Sequence, residues 1–149
     1  MDINRENLGE PDIAIAGLQI WVHGRQFPDQ EDYWDGNWLN VTVHCGAKGS
    51  SVWTSGNIIQ LHEIAHLSAG AKELYNYLKG KAELPCIEPE LFVELEADTV
   101  GHILMTVKIT PDHLSQLHKF TFDLDQSFLP KLISGCDDVL QKFPIKGKP

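Results

Sequence analysis

Apolar and polar positions alternate through Leu39, Val41, Val43 and Cys45, with Trp38, Asn40, Thr42 and His44 between them. A period of two is the mark of a half-buried antiparallel strand. Ile13 to Val22 reads as an earlier strand, and Gly46, Gly49 and the following serines supply a turn from which Val52 and Trp53 return as a third. From Ile59 to Lys79 the spacing changes. Leu61, Ile64, Leu67, Ala71, Leu74 and Leu78 recur every three or four residues, which predicts an amphipathic helix stopped at Gly80. A connector with Pro85 and Pro89 follows. Alternation resumes in Leu91–Leu95, Ile103–Ile109 and Phe120–Leu124, and helical spacing returns from Leu129 to Phe143, with Pro130 in a first turn that tolerates a missing amide. The order predicts an α+β fold: an antiparallel sheet of about six strands with two amphipathic helices packed on one face. No repeat or linker divides residues 1–149, so a single domain is expected, with 1–12 as a flexible N-terminal segment.

Charge narrows the function. Twelve basic and 21 acidic side chains give a net charge of −9, which opposes any direct grip on a phosphate backbone. The same imbalance speeds encounter with a basic protein, and it also serves plain solubility. No apolar run approaches the roughly 20 residues that span a bilayer, and the start of the chain lacks a signal-peptide core. The expected location is cytoplasmic, with no membrane partner. Cys45, Cys86 and Cys136 are odd in number and widely spaced, which suggests small buried hydrophobes rather than a disulfide framework or zinc ribbon.

His62-Glu63-Ile64-Ala65-His66 matches His-Glu-x-x-His, in which two imidazoles one helical turn apart can hold zinc while the glutamate activates a water. A catalytic zinc needs a third protein ligand. The extended Gly-x-x-His completion fails, because Ala69 and Lys72 occupy those places. Glu83, Glu88 and Glu90 fall in the Pro-interrupted connector, without helical register. At about 100° per residue, His62 lies nearly opposite the apolar stripe and His66 about 140° from its centre, so both are expected to face solvent. The motif reads as a solvated helix face, no metal is assigned, and a small zinc metallopeptidase stands as the alternative. His23, His44, His102, His113 and His118 form no triad by spacing, and no nucleophile elbow or phosphate-binding glycine loop is present.

Asp29-Gln30-Glu31-Asp32-Tyr33-Trp34-Asp35-Gly36-Asn37-Trp38 concentrates four carboxylates and three aromatic rings in ten residues. Tyr and Trp bury large areas at low rotamer cost, and carboxylates accept charge-assisted bonds from Lys or Arg. One reading makes Asp29, Glu31, Asp32, Tyr33, Trp34 and Asp35 a partner-binding site. The other turns Trp34 or Trp38 inward as a core anchor and leaves the acids solvated. A calcium loop is disfavoured, since Asn40 stands where its twelfth-position Glu belongs.

Around this loop, Gly24-Arg25-Gln26-Phe27-Pro28-Asp29 and Asp32-Tyr33-Trp34-Asp35-Gly36-Asn37-Trp38-Leu39 resemble the opening of the WapI-type bacterial immunity proteins. Glu88-Pro89-Glu90-Leu91, Gly101-His102-Ile103, Phe122 through Asp125-Gln126, Phe128-Leu129 and Phe143-Pro144 are similar to later landmarks of that family, extending the likeness from Gly24 to Pro144. The resemblance implies a non-enzymatic antitoxin without cofactors. Such a protein binds a cognate toxin C-terminal domain, for which a tRNA-cleaving nuclease is the prototype. The His62–His66 pattern lies outside the family's signature. A protein-binding scaffold domain of other purpose is the third reading.

Overall fold

Two short turns shape the first sheet. The structure, a computed structural model, describes residues 5–149. β1 (Ile13–Ile15) and β2 (Leu18–Arg25) form a hairpin across Ala16 and Gly17, where one continuous strand was expected. Gly17 makes that reversal feasible: a Cβ there would stand 2.1 Å from the Gly46 carbonyl oxygen, so only glycine lets the turn close onto the neighbouring strand. β3 (Trp38–Ala47) and β4 (Ser50–Gln60) are joined by Lys48 (φ 48°) and Gly49 (φ 89°), two left-handed residues of the kind a tight hairpin requires. The four strands pair antiparallel in the order β1-β2-β3-β4.

A second antiparallel sheet has the order β5-β6-β7-β8, from Lys81–Leu84, Leu91–Ala97, Ile103–Ile109 and Lys119–Leu124. The last three are the expected meander. β5 lies within the expected connector; at four residues it is too short for alternation to be distinctive, yet it buries Ala82 and Leu84 and pairs with β6. The class is therefore α+β as expected, with eight strands in two sheets in place of about six in one.

The helices α1 (Leu61–Tyr77) and α2 (Leu129–Lys142) do not cover one face of a single sheet. They pack on each other, and each lies against one sheet edge: α1 along β5 and α2 along β1. Glycine permits both approaches. A Cβ on Gly70 would sit 2.8 Å from Ala82 Cα, and one on Gly135 would sit 2.6 Å from the Asp12 carbonyl oxygen. Between the helices, Ser68 Oγ donates to Asp137 Oδ1 at 2.7 Å and Lys72 Nζ lies 3.1 Å from Asp137 Oδ2. The inner faces of the sheets meet through β3, β4, β7 and β8, and one apolar cluster joins both sheets to both helices. Cys45 and Cys136 are buried and Cys86 is half-buried; all three are free thiols. Among the described residues, no helix is long and apolar enough to cross a membrane.

Of the segment expected to be flexible, residues 1–4 lie outside the described residues. From Arg5 onward the chain runs over the outer face of the first sheet, where the Arg5 guanidinium sits 4.5 Å from the Trp53 ring centroid and Gly9 O accepts from Trp21 Nε1 at 2.9 Å.

Because α2 meets β1 backbone to backbone at Gly135, Gly135→Ala is expected to push the helix off its edge. The loss is about 1–3 kcal/mol, read as a fall of several degrees in Tm by thermal unfolding.

Candidate functional site

The loop between β2 and β3 is short of apolar residues and derives its shape from polar contacts. Gln26 N donates to Trp38 O at 2.8 Å and Gln30 N to Phe27 O at 3.1 Å. Gly36 N donates to Asp32 O, and Asp35 N to Asp32 Oδ2, each at 3.0 Å. Three residues outside the expected site then hold the loop. Arg25 Nη1 donates to Gly36 O at 2.8 Å, and its Nη2 donates to Pro144 O. Asn37, fully buried, donates from Nδ2 to Tyr33 O and Lys146 O at 2.9 Å each and accepts Lys146 N on Oδ1 at 2.8 Å. Lys146 Nζ reaches back to Pro28 O, Gln30 O and Glu31 Oε1, all at 3.0 Å. Gly36 and Gly147 are enclosed: a Cβ on either would come within 2.7 Å of loop backbone.

This framework decides how the aromatic side chains are displayed. Trp34 is 61% exposed, so it is not a core anchor, and Trp38 is only half-buried at the head of β3. Tyr33 stacks on His62 with ring centroids 4.9 Å apart and meets Trp34 edge-on at 5.0 Å. Asp29, Glu31, Asp32 and Asp35 are exposed on the same loop. Asp29, Glu31, Asp32, Trp34 and Asp35 are thus exposed on one loop, with Tyr33 half-buried between Trp34 and His62.

His62 was expected to face solvent, and here the expectation is corrected. It is half-buried beneath Tyr33, its Nδ1 is enclosed without a hydrogen-bond partner, and burial lowers its pKa. A helical wheel places a side chain relative to its own helix only. The loop that folds over the first turn of α1 comes from 25 or more residues earlier in the chain. His66, one turn on, is exposed as expected.

Glu63 also departs from a solvated face. It is 1% exposed, with Oε1 accepting Gln60 N at 2.7 Å and Oε2 accepting Ile87 N at 3.0 Å. The first bond caps α1; the second anchors the segment between β5 and β6. Burial raises its pKa, its two backbone bonds oppose that rise, and the nearby Glu88 charge adds to it. Both oxygens are thus committed to backbone, and the neighbouring imidazole is occupied by a tyrosine ring. Among the described residues, no group of three or more His, Cys, Asp or Glu side chains is placed to hold a metal ion. The donor set does not fit a zinc peptidase.

Removing the Glu63 carboxylate strands a buried amide at Gln60, so Glu63→Ala should cost about 1–3 kcal/mol. Because its folded pKa is raised, the wild-type glutamate favours folding most when protonated, and this contribution falls as pH climbs through the raised value. Glu63→Gln should therefore gain stability relative to wild type as pH rises above the ordinary glutamate range, measured by urea unfolding at several pH values.

The profile of the immunity protein WapI-like family matches residues 11–144, covering both sheets, both helices and the clamped loop. Neither curated proteins nor solved structures return a match. With the family profile spanning nearly the whole chain, the protein belongs to the immunity protein WapI-like family.

Proposed function

We propose that this chain works as a single domain, a non-enzymatic immunity protein that binds its cognate toxin C-terminal domain in the cytoplasm and blocks it by occlusion. The observation that carries this reading is Trp34: a large ring, 61% exposed, propped by the Tyr33–His62 stack on a loop fastened by Asn37 and Lys146. A rigid exposed aromatic is well suited to bury area in a partner's pocket, because little conformational entropy is lost when it docks. Around it, Asp29, Glu31, Asp32 and Asp35 suit lysines and arginines of the partner.

The net charge of −9 extends the same logic to long range. A toxin that cleaves RNA carries a basic cleft, and an acidic protein is steered toward it and competes with the phosphate backbone for it. The immunity protein needs no cofactor for this and has no affinity of its own for nucleic acid. Negative charge sets the association rate, and the buried aromatic contact sets the dissociation rate.

Binding of the purified protein to an inactive variant of the toxin domain encoded beside it tests the reading. Trp34→Ala should weaken the complex by about 2 kcal/mol, roughly 30-fold, through faster dissociation. Asp29→Asn with Asp35→Asn should slow association, as should added salt. A toxin domain that the protein neither binds nor inhibits would sink the proposal.

A further inference from the structure

Two four-stranded sheets present four edge strands, and the chain treats them differently. β1 is covered by α2 and β5 by α1. β8 is uncovered but carries charges at Lys119 and Asp123, a common guard against unwanted strand pairing. β4 has neither protection. Its 11 residues, Ser50–Gln60, include no charged residue and no proline, in a chain whose net charge is −9. Residues Ser50 to Asn57 keep an unbroken register against Ala47 to Asn40, and the one irregularity falls beyond them, near Ile58. Among the described residues, the backbone of this stretch makes no hydrogen bond to any segment other than β3, and Ser51 and Ser55 turn their hydroxyls to His44 and Thr42 of that same strand. Its outward N–H and C=O groups are therefore a template for another strand.

The surroundings of β4 match such a use. An open groove of about 560 Å³ runs beside it, lined by Gln26, Asn40, Trp53, Ser55, Asn57 and Pro111 among others; none of these carries a charge, and the Arg5 guanidinium stacks on the Trp53 ring. At its far end β4 meets the acidic loop directly: Gln60 pairs with Trp38, and Leu61 N donates to Asn37 O at 2.9 Å. Gln26, which lines the groove, is also the residue that opens the loop. The neutral edge strand thus ends against the acidic aromatic loop.

We infer that β4 is the second half of the docking surface and receives an extended strand of the basic toxin domain, adding it to the first sheet. This rests on the proposed function. Charge selects the occupant: two copies of a chain at −9 repel, whereas a basic domain is drawn to the adjoining carboxylates. The loop supplies steering and an aromatic anchor. The edge supplies backbone hydrogen bonds that require no particular side chains from the partner, together with a groove for the side chains on one face of the incoming strand.

Hydrogen exchange of the full chain, free and with the inactive toxin domain, is the test. Amides within Ser50–Asn57 should gain protection in the complex along with residues 29–35. Adjacent substitutions Thr54→Pro and Ser55→Pro remove one inward and one outward amide. The variant that keeps the wild-type Tm should dissociate at least tenfold faster, with its association rate unchanged. Protection confined to residues 29–35, or wild-type binding by the proline variant that keeps the wild-type Tm, would overturn the strand addition and leave the proposed function standing. Absence of any complex would overturn both. Protection of Ser50–Asn57 that grows with the protein's own concentration, alongside dimer mass in sedimentation, would assign the edge to a second copy and overturn the inference as well.

Discussion

The exposed surface of this protein depends on one amide. Asn37 has no solvent contact, and its side chain joins the loop at Tyr33 to both backbone groups of Lys146, while its own carbonyl accepts the first amide of α1. A buried amide left without partners costs about 1–3 kcal/mol for each stranded group. The loop, the C-terminal tail and the start of α1 therefore hold together or fail together. Lys146 completes the arrangement: it pairs with one loop carboxylate, Glu31, and satisfies two loop carbonyls. An acidic loop of this composition would repel itself into an open ensemble. The clamp sets where Tyr33 and Trp34 stand, one against His62 and the other edge-on to its neighbour.

The helices serve the architecture by removing edges. Gly70 and Gly135 let α1 and α2 approach β5 and β1 at backbone distance, closing those sides of the two-sheet core. What remains open is the side bearing β4 and β8, and the acidic loop stands at the end of β4. The helices thus stand against two of the four edge strands, β1 and β5.

Glu63 illustrates how a motif can be satisfied for reasons unrelated to chemistry. A glutamate in the first turn of a helix reaches back to the amide before it, and here it also holds the connector at Ile87. The flanking histidines take separate roles, His62 under Tyr33 and His66 in solvent. The spacing of His-Glu-x-x-His is that of any helix face, so only the destinations of the side chains distinguish a cap from a catalytic base.

Periodicity alone determined the α+β class, both helices and most strands, because half-buried elements must repeat their apolar residues at the pitch of their backbone. Composition likewise marked Asp29–Trp38 as an unusual surface loop, and local motifs carried the resemblance to the immunity family. Sequence could not reveal that Ile13–Val22 bends at Gly17 or that Lys81–Leu84 is a strand. The first depends on how closely Gly46 approaches, and the second on a partner strand that makes four residues sufficient. Nor could it place Lys146 inside the acidic loop, since that contact spans over a hundred residues and leaves no local period. Which way Trp34 faces, what lies under Tyr33 and which sheet edge stays free were decided by tertiary packing, because each depends on what comes to rest beside a residue rather than on its neighbours in the chain.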